Sequence, residues 1–438
     1  MKYYRLILII LTMSVLLSSC SDNVANKTTV TQTAEKTSAS SSYYKNTEKD
    51  IYDINFRGAS FIFAVPPDEK NDIYADENGG NAIDRAVAKR NELLYDYYNC
   101  RIETVNIAPS ALAAEIASNK NGIDFVNYTY SDAYRYIERF YDLCELDKEV
   151  FMQTLSEDGK LYVGNFSRSI NESRSIILFN KNVKASVPAI DKMDFYNIVG
   201  NNAWTLDKFL GIIKLVSESS DACAFATSKE DIAKLYLGSG QSFASIPSLE
   251  GRDLKASRKV SSVLSEIYSC EGTLLTQKSE AQKMMKESET LFIIDSIGSL
   301  SDYISEKLLY GVLPLPVYDN YYKYRKNFID KDSLFLFALK TERDIGTVAD
   351  FLVLFEKYSM ETIGSCFYEY YGYSCASDGE SAATIYGALE YETFDAVYAL
   401  GTADTERKYA EYILSGKKNF DAMFENIAKD ISQSLPNR

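Results

Sequence analysis

Apolar positions fall into short, regular groups along the chain, and their spacing changes from one group to the next. Ala59 to Val65 (ASFIFAV) is a continuous apolar run with β-branched and aromatic members, which predicts a buried strand of a parallel sheet. Beyond a polar stretch, Asn81 can cap a helix with Asp84 at its third position, and Ile83, Val87, Leu94 and Tyr97 supply the apolar face. Cys100 to Val105 alternates as a strand, Ser110 to Ser118 is helical, and Ile123 to Tyr128 is a third strand. This β-α-β-α-β rhythm predicts an α/β lobe with a mostly parallel sheet.

The second half repeats these signals without an internal sequence repeat. Leu161 to Gly164 reads as a connector and Ser175 to Asn180 (SIILFN) as a buried strand. Thr205 can cap a helix whose inner face is Phe209, Ile212, Ile213 and Val216. Further helices are predicted over Glu230–Leu237, Arg258–Tyr268, Lys278–Glu287, Asp344–Tyr358, Ala382–Leu389, Arg407–Leu414 and Phe420–Ser434. Leu291–Asp295 and Ser333–Leu339 are predicted strands, and Tyr310–Pro316 is an extended run closed by prolines.

The N-terminus has a different pattern. Lys2 and Arg5 precede an apolar run from Leu6 to Leu17, which is shorter than the ~20 residues a membrane span needs. It has the length of a signal-peptide core. Leu17-Ser18-Ser19-Cys20 resembles the lipobox read by lipoprotein signal peptidase. The resemblance implies cleavage after Ser19, a lipid-modified (palmitate-type) Cys20 and an extracytoplasmic, membrane-anchored protein. Ser21 to Lys49 is rich in Ser, Thr, Lys, Asn and Ala and cannot bury enough surface to offset its ordering entropy. It reads as a flexible tether.

About 390 residues follow, enough for two lobes with separate cores. The net charge of −15 argues against nucleic acid or anionic lipid headgroups as partners. The chain contains no His, which excludes Ser-His-Asp and Cys-His catalysis and His metal sites. It has 34 Tyr but one Trp, Trp204. Tyr can both stack on a ligand and hydrogen-bond to it, although most will simply pack. Beyond Cys20, Cys100, Cys144, Cys223, Cys270, Cys366 and Cys375 show no zinc spacing. Cys366 and Cys375 are close enough in sequence to pair across a short loop. Asp72, Asp76, Glu77 and Asn78 lack the calcium-loop spacing and read as a solvated loop. No metal or cofactor is expected.

Six segments carry a resemblance to a known family. They are Asp76–Ile102, a Gly-rich loop and a helix with Arg90-Asn91; Gly159–Val183, ending a strand in Phe179-Asn180-Lys181; and the helix start Trp204-Thr205-Leu206-Asp207-Lys208-Phe209. They continue with Tyr310–Asp319 (YGVLPLPVYD), the SLFLFAL strand with its following helix, and Phe367–Leu389. In this order they resemble the extracellular solute-binding proteins of bacterial ABC transporters, family 1, the maltodextrin-binding type. Gly164-Asn165 stands where that family usually has a crossover Pro, and Ile294-Asp295-Ser296 stands where sugar binders often have Gly-Pro-Trp.

The resemblance implies an α/β, two-lobe, type II periplasmic-binding-protein-like fold with a ligand cleft between lobes joined by crossing strands. The expected division is residues 51–163 plus 336–376 for one lobe and 164–335 plus 377–438 for the other. It implies a monomer that captures a small solute, carbohydrate by default, and delivers it to an importer permease. The chain has no GxxxxGK-type phosphate loop, so ATP hydrolysis would belong to another subunit. Strand-end loops supply the candidate ligand contacts. These are Asp68 with Pro67 and Glu69; Tyr128 and Tyr130 with Asn127 and Ser131; Arg168, Asn171, Ser173 and Arg174; Asp295 and Ser296 with Ser299; and Tyr370 with Tyr371. Tyr128, Arg174 and Asp295 are the leading three. Loop Asp, Asn and Ser also cap helices, and Arg also forms ion pairs, so each has a structural alternative. Two other functions fit the same chain: a sensor that presents ligand to a membrane kinase or chemoreceptor, and a surface glycan-active enzyme working through paired carboxylates.

Overall fold

The structure is a computed structural model that describes residues 53–67, 73–76, 80–143, 156–157, 160–161, 163–164, 171–304, 308–319, 327–390 and 392–434. The expected signal peptide, Cys20, the tether and Cys144 lie outside the described residues.

Two five-stranded sheets organise the chain. The first contains β1 (Ala59–Val65), β2 (Cys100–Asn106), β3 (Phe125–Thr129), β4 (Val163–Gly164) and β11 (Leu334–Ala338), in the order β2-β1-β3-β11-β4. β1, β2 and β3 run parallel, and β11 runs antiparallel to β3, with Leu334 opposite Thr129. The second contains β5 (Ser175–Asn180), β6 (Cys223–Thr227), β7 (Thr273–Leu275), β8 (Thr290–Ser296) and β9 (Tyr310–Leu313), in the order β9-β5-β8-β6-β7. β6, β7 and β8 are parallel, and β5 is antiparallel to β8.

Most predicted elements form where the pattern places them. Helix α1 (Ala82–Tyr98) opens on the expected capping box: Asn81 Oδ1 accepts from Asp84 N at 3.1 Å, and Asp84 returns the bond to Asn81 N at 2.8 Å. Its buried face continues from Leu94 to Tyr98, and Tyr97 is exposed, because the helical period carries the stripe four residues on. Helix α3 (Leu206–Ser219) buries all four expected residues. The pattern missed β6 and β7, whose CAFAT and TLL runs are too short and too small for a clear period. Leu161–Gly164, expected as a connector, contributes β4 to the first sheet.

Aromatic residues dominate the first core. Phe351 and Phe355 of helix α7 (Ile345–Ser359) stack on Phe61 at 3.8 Å and Phe63 at 5.5 Å, with Phe125 beside Phe63 at 4.8 Å. The second sheet buries both faces. Ile177, Phe179 and Phe292 point to one core, and Ile176, Leu178 and Ile293 point to the other. The helical path continues past Ser359 through a π turn (Met360–Gly364), an α turn (Ser365–Glu369) and a second π turn (Tyr370–Cys375). Tyr358 packs in the first core, and Ile363, Phe367 and Tyr371 pack on the second sheet. This segment corrects the expected disulfide. Cys366 and Cys375 lie nine residues apart on one helical path, which rises ~1.5 Å per residue and so separates them by more than a disulfide spans.

The recognisable sequence segments meet in pairs. Arg90 Nη2 and Asn91 Nδ2 both donate to the Ile73 carbonyl, at 2.7 and 2.8 Å, and the Arg90 guanidinium lies 4.0 Å from the Phe355 ring centroid. Trp204, fully buried, donates Nε1–H to the Pro314 carbonyl at 2.8 Å. Lys181 pairs with Asp378, which also accepts from Tyr196 Oη at 2.9 Å and from Ser381 N at 2.7 Å, just inside helix α8 (Gly379–Glu390). Burial pushes the Asp378 carboxyl up, but these donors, Lys181 first, outweigh it and hold it below its ordinary range.

Two predictions follow from this packing. Asp378→Ala removes a helix cap and the partners of Lys181 and Tyr196 together. It should lower unfolding free energy by about 2–4 kcal/mol in urea titration, with Asp378→Asn falling between it and the parent. Glu356 on α7 is buried, its Oε2 has no partner among the described residues, and Arg90 bonds Ile73 and Ser359 instead. Burial pushes the Glu356 carboxyl up to about 8. The folded chain therefore holds this proton across a range in which the unfolded chain, near 4.5, has released it. The Glu356 contribution should be fully present below pH ~4.5 and be lost as pH rises towards about 8, by on the order of 5 kcal/mol. Glu356→Gln should flatten that slope in denaturation measured from pH 5 to 9; an unchanged slope would refute the assignment.

Candidate functional site

The crossings between the sheets define the site. β4 runs parallel to β3, so the chain leaves the first sheet towards its carboxyl edge. It enters the second sheet at Ser175, opposite Ser296, the carboxyl end of β8. It leaves that sheet from β9, which is parallel to β8, and returns at Leu334 opposite Thr129, the carboxyl end of β3. Both sheets therefore turn their carboxyl edges towards the crossing segments, and β2 and β7 are the edges farthest from them. A cleft between carboxyl edges is where open α/β sheets place ligands.

Hydrogen bonds tie the crossings together. Ser173 Oγ and Ser333 Oγ, one on each crossing, lie 2.6 Å apart. Arg174 is buried; its Nε donates to Asn171 Oδ1 at 3.2 Å and its Nη1 to the Ala388 carbonyl at 2.9 Å. Asn327 Nδ2 donates to the same carbonyl at 2.8 Å, from the short strand β10 (Asn327–Phe328), which pairs with β12 (Glu392–Thr393). Tyr371 donates to Glu172 Oε1 at 2.7 Å.

The expected ligand contacts are distributed unevenly. Asp68, Glu69 and Arg168 lie outside the described residues, and Pro67 is exposed just beyond β1. Tyr128 faces the first core, fully buried, and its hydroxyl donates to the Ile107 carbonyl at 2.5 Å. Tyr130 is buried among Phe335, Phe337 and Phe394. Asn127 is buried with its Nδ2 unpartnered among the described residues, and Ser131 bonds Thr129 at 3.1 Å. Tyr370 is half-buried, its ring 5.0 Å from that of Tyr371.

Asp295 is consumed by its own lobe. Its carboxylate accepts from Tyr303 Oη at 2.5 Å, Ser299 Oγ at 2.7 Å, Gln282 Nε2 at 2.9 Å and Ser296 N at 2.8 Å, with Lys278 Nζ at 3.2 Å. Burial pushes it up, but Lys278 and these donors hold it below its ordinary range. Ser296 Oγ and Ser299 Oγ bond each other at 2.9 Å. Of the three leading expectations, Tyr128 and Asp295 thus organise the lobes and Arg174 organises a crossing.

A charged group that the sequence pattern did not single out occupies the same edge. Helix α4 (Asp231–Gly238) follows β6 and carries Asp231 and Lys234. Lys234 Nζ lies 3.1 Å from Asp330, on the crossing that leads into β11. Burial alone would lower the Lys234 pKa, but the charges of Asp330 and Asp231 hold it above its ordinary value. Asp231 is buried and accepts from Thr227 Oγ1, Ser228 N and Ser228 Oγ; burial still pushes its carboxyl up. Lys331 Nζ lies 2.5 Å from Glu406 of helix α10 (Thr405–Leu414). Asp332, the next residue, is exposed. These residues are scattered over three segments, α4, the crossing before β11 and α10, and only the signals for strand ends could have pointed to them. Among the described residues, no three acidic or cysteine side chains converge to hold a metal.

No family model matches the sequence, and no curated protein does. Solved structures do match. The chain is similar to a cyclic alpha-maltosyl-1,6-maltose binding protein of Arthrobacter globiformis, with TM-score 0.59 and 11% identity over 86% of this chain and 98% of that one. It is similar to the sugar-binding protein MalE of Xanthomonas citri, with TM-score 0.59 and 11% identity over 85% and 96%. A third is the galacto-N-biose/lacto-N-biose I-binding protein of an ABC transporter from Bifidobacterium longum, with TM-score 0.57 and 11% identity over 86% and 97%. The chain therefore has the two-lobe α/β fold of the extracellular solute-binding proteins.

Proposed function

We propose that this chain captures a small polar solute, carbohydrate by default, outside the cytoplasm and delivers it to an ABC importer permease. The observation that carries the reading is the convergence of both carboxyl edges on segments that cross between the lobes. Solutes named for the similar structures, maltosyl and lacto-N-biose sugars among them, support a polyhydroxylated ligand. The chain itself carries no His and no phosphate loop, which fits a binding subunit rather than a catalyst. In this reading the lobes close on the solute by bending at the crossings, and the closed shape is what the permease accepts. Lipidation at Cys20 would keep the soluble body beside that permease.

Closure is directly measurable. The chain without its first nineteen residues should show a smaller radius of gyration by small-angle scattering with at least one solute from a sugar, peptide and polyamine panel. The same solute at 100 times its Kd should raise unfolding free energy by about 2.7 kcal/mol. No compaction with any member of the panel would overturn the reading. Anchoring is a separate matter: Cys20→Ala should release the protein from cells, and retention of that variant would show that another contact holds it.

A further inference from the structure

One short segment belongs to both lobes. Strand β12 leads through Phe394 and Asp395 into helix α9 (Ala396–Leu400). The second lobe holds its backbone. Asp395 is buried, and one of its oxygens accepts from Ser242 Oγ at 2.7 Å and from Ala244 N at 3.1 Å, in the loop that follows helix α4. Its other oxygen caps α9 by accepting from Tyr398 N at 2.9 Å. Val397 and Tyr398 are buried in the core that holds Ile177 and Phe292.

The side chains flanking that anchor go to the first lobe. Phe394 meets the Tyr130 ring edge to face, with centroids 4.8 Å apart and planes at 70°, and the Phe335 ring at 5.9 Å and 79°. Ala399 is buried in the same core as Tyr130 and Phe335. So is Ile329, whose N donates to the Thr393 carbonyl at 3.0 Å. Tyr130 opens the short helix Tyr130–Tyr134 that follows β3, and Phe335 is the second residue of β11. Phe394 therefore lies at the carboxyl end of β3, where the return crossing enters the first sheet. It covers a tyrosine that the strand-end rule nominates for solute.

This contact differs from ordinary core packing in two ways. Phe394 is half-buried, at the margin of the first core rather than inside it. Its anchor, through Asp395, is in one lobe and its seat is in the other. Parting the lobes at this face would pull the ring off Tyr130 and Phe335 and return apolar surface to water. An edge-to-face pair favours the arrangement that keeps it.

We propose that Phe394 is an interlobe latch: seated on Tyr130 and Phe335, it holds the lobes together in the solute-free chain, and opening the cleft requires its withdrawal. The latch takes from the solute-capture reading above only that the lobes move. Tyr130 and Phe335 act in it as positioning residues that seat the ring.

The test uses the chain without its first nineteen residues and no solute, so that failure of the latch and failure of solute capture are read separately. Phe394→Ala should enlarge the radius of gyration in small-angle scattering. It should also raise amide exchange about five-fold in Tyr130–Tyr134 and at Leu334 and Phe335, with the amides of β6 and β8 unchanged. Phe394→Tyr keeps a ring of the same shape and should match the parent in both measurements. A Phe394→Ala chain with the parent's radius and exchange would overturn the latch. Exchange that rises equally in both lobes, together with a lower thermal midpoint, would show a packing residue only and overturn it too. Expansion of the Phe394→Tyr chain to the alanine value would show that the ring is not what holds the lobes.

Discussion

The two strand crossings between the sheets, at Ser175 and Leu334, join them at their carboxyl edges, and the rest of the mouth depends on that constraint. β5 enters opposite the end of β8, and β11 enters opposite the end of β3. A strand that enters antiparallel to its neighbour must begin at that neighbour's carboxyl end. The crossing segments and the loops after the parallel strands are thereby forced into one space. Loops cannot bury their backbone groups without partners, so this region is polar by necessity. The Ser173–Ser333 contact ties one crossing to the other, and the Ala388 carbonyl, accepting from Arg174 and Asn327, ties both to helix α8.

The fold was largely legible in the sequence because it is written in local periods. SIILFN and ASFIFAV are buried on a two-residue period or throughout, and α1 and α3 carry clear stripes. What escaped was set by neighbours rather than by period. The CAFAT strand is ordered by pairing with β8, the TLL strand by pairing with CAFAT, and the 360–375 segment stays helical through π turns that no propensity signals. The site was less legible for the same reason. A strand-end aspartate reads identically whether it faces solute or its own lobe. Asp295 became a structural group only because Tyr303, Gln282, Ser299 and Lys278 come from elements that pack around it. Asp332 carries no local signal at all.

The segments that carry the family resemblance turn out to be staples. Arg90 with Phe355, Trp204 with Pro314, and Lys181 with Asp378 each join two of them at a buried or half-buried contact. Removing one partner of such a contact leaves the other buried and unsatisfied, which costs more than the bond contributes. That asymmetry makes these residues recognisable markers of the fold and poor guides to the ligand. A fold can persist at 11% identity when a few such contacts survive, and the contacts to solute are then free to differ.

Trp204 shows what this division implies for recognition. The chain's one tryptophan is fully buried and spends its N–H on Pro314, so it offers no stacking surface. Tyr128, Tyr130 and Tyr371 are also buried, at 0%, 3% and 2% exposure. The mouth instead gathers Asp231, Lys234, Lys278, Asp295, Asp330, Lys331 and Asp332, most of them already paired. Among the described residues these pairs hold the strand-end loops in place, because breaking one leaves a charge unmatched in a partly desolvated space.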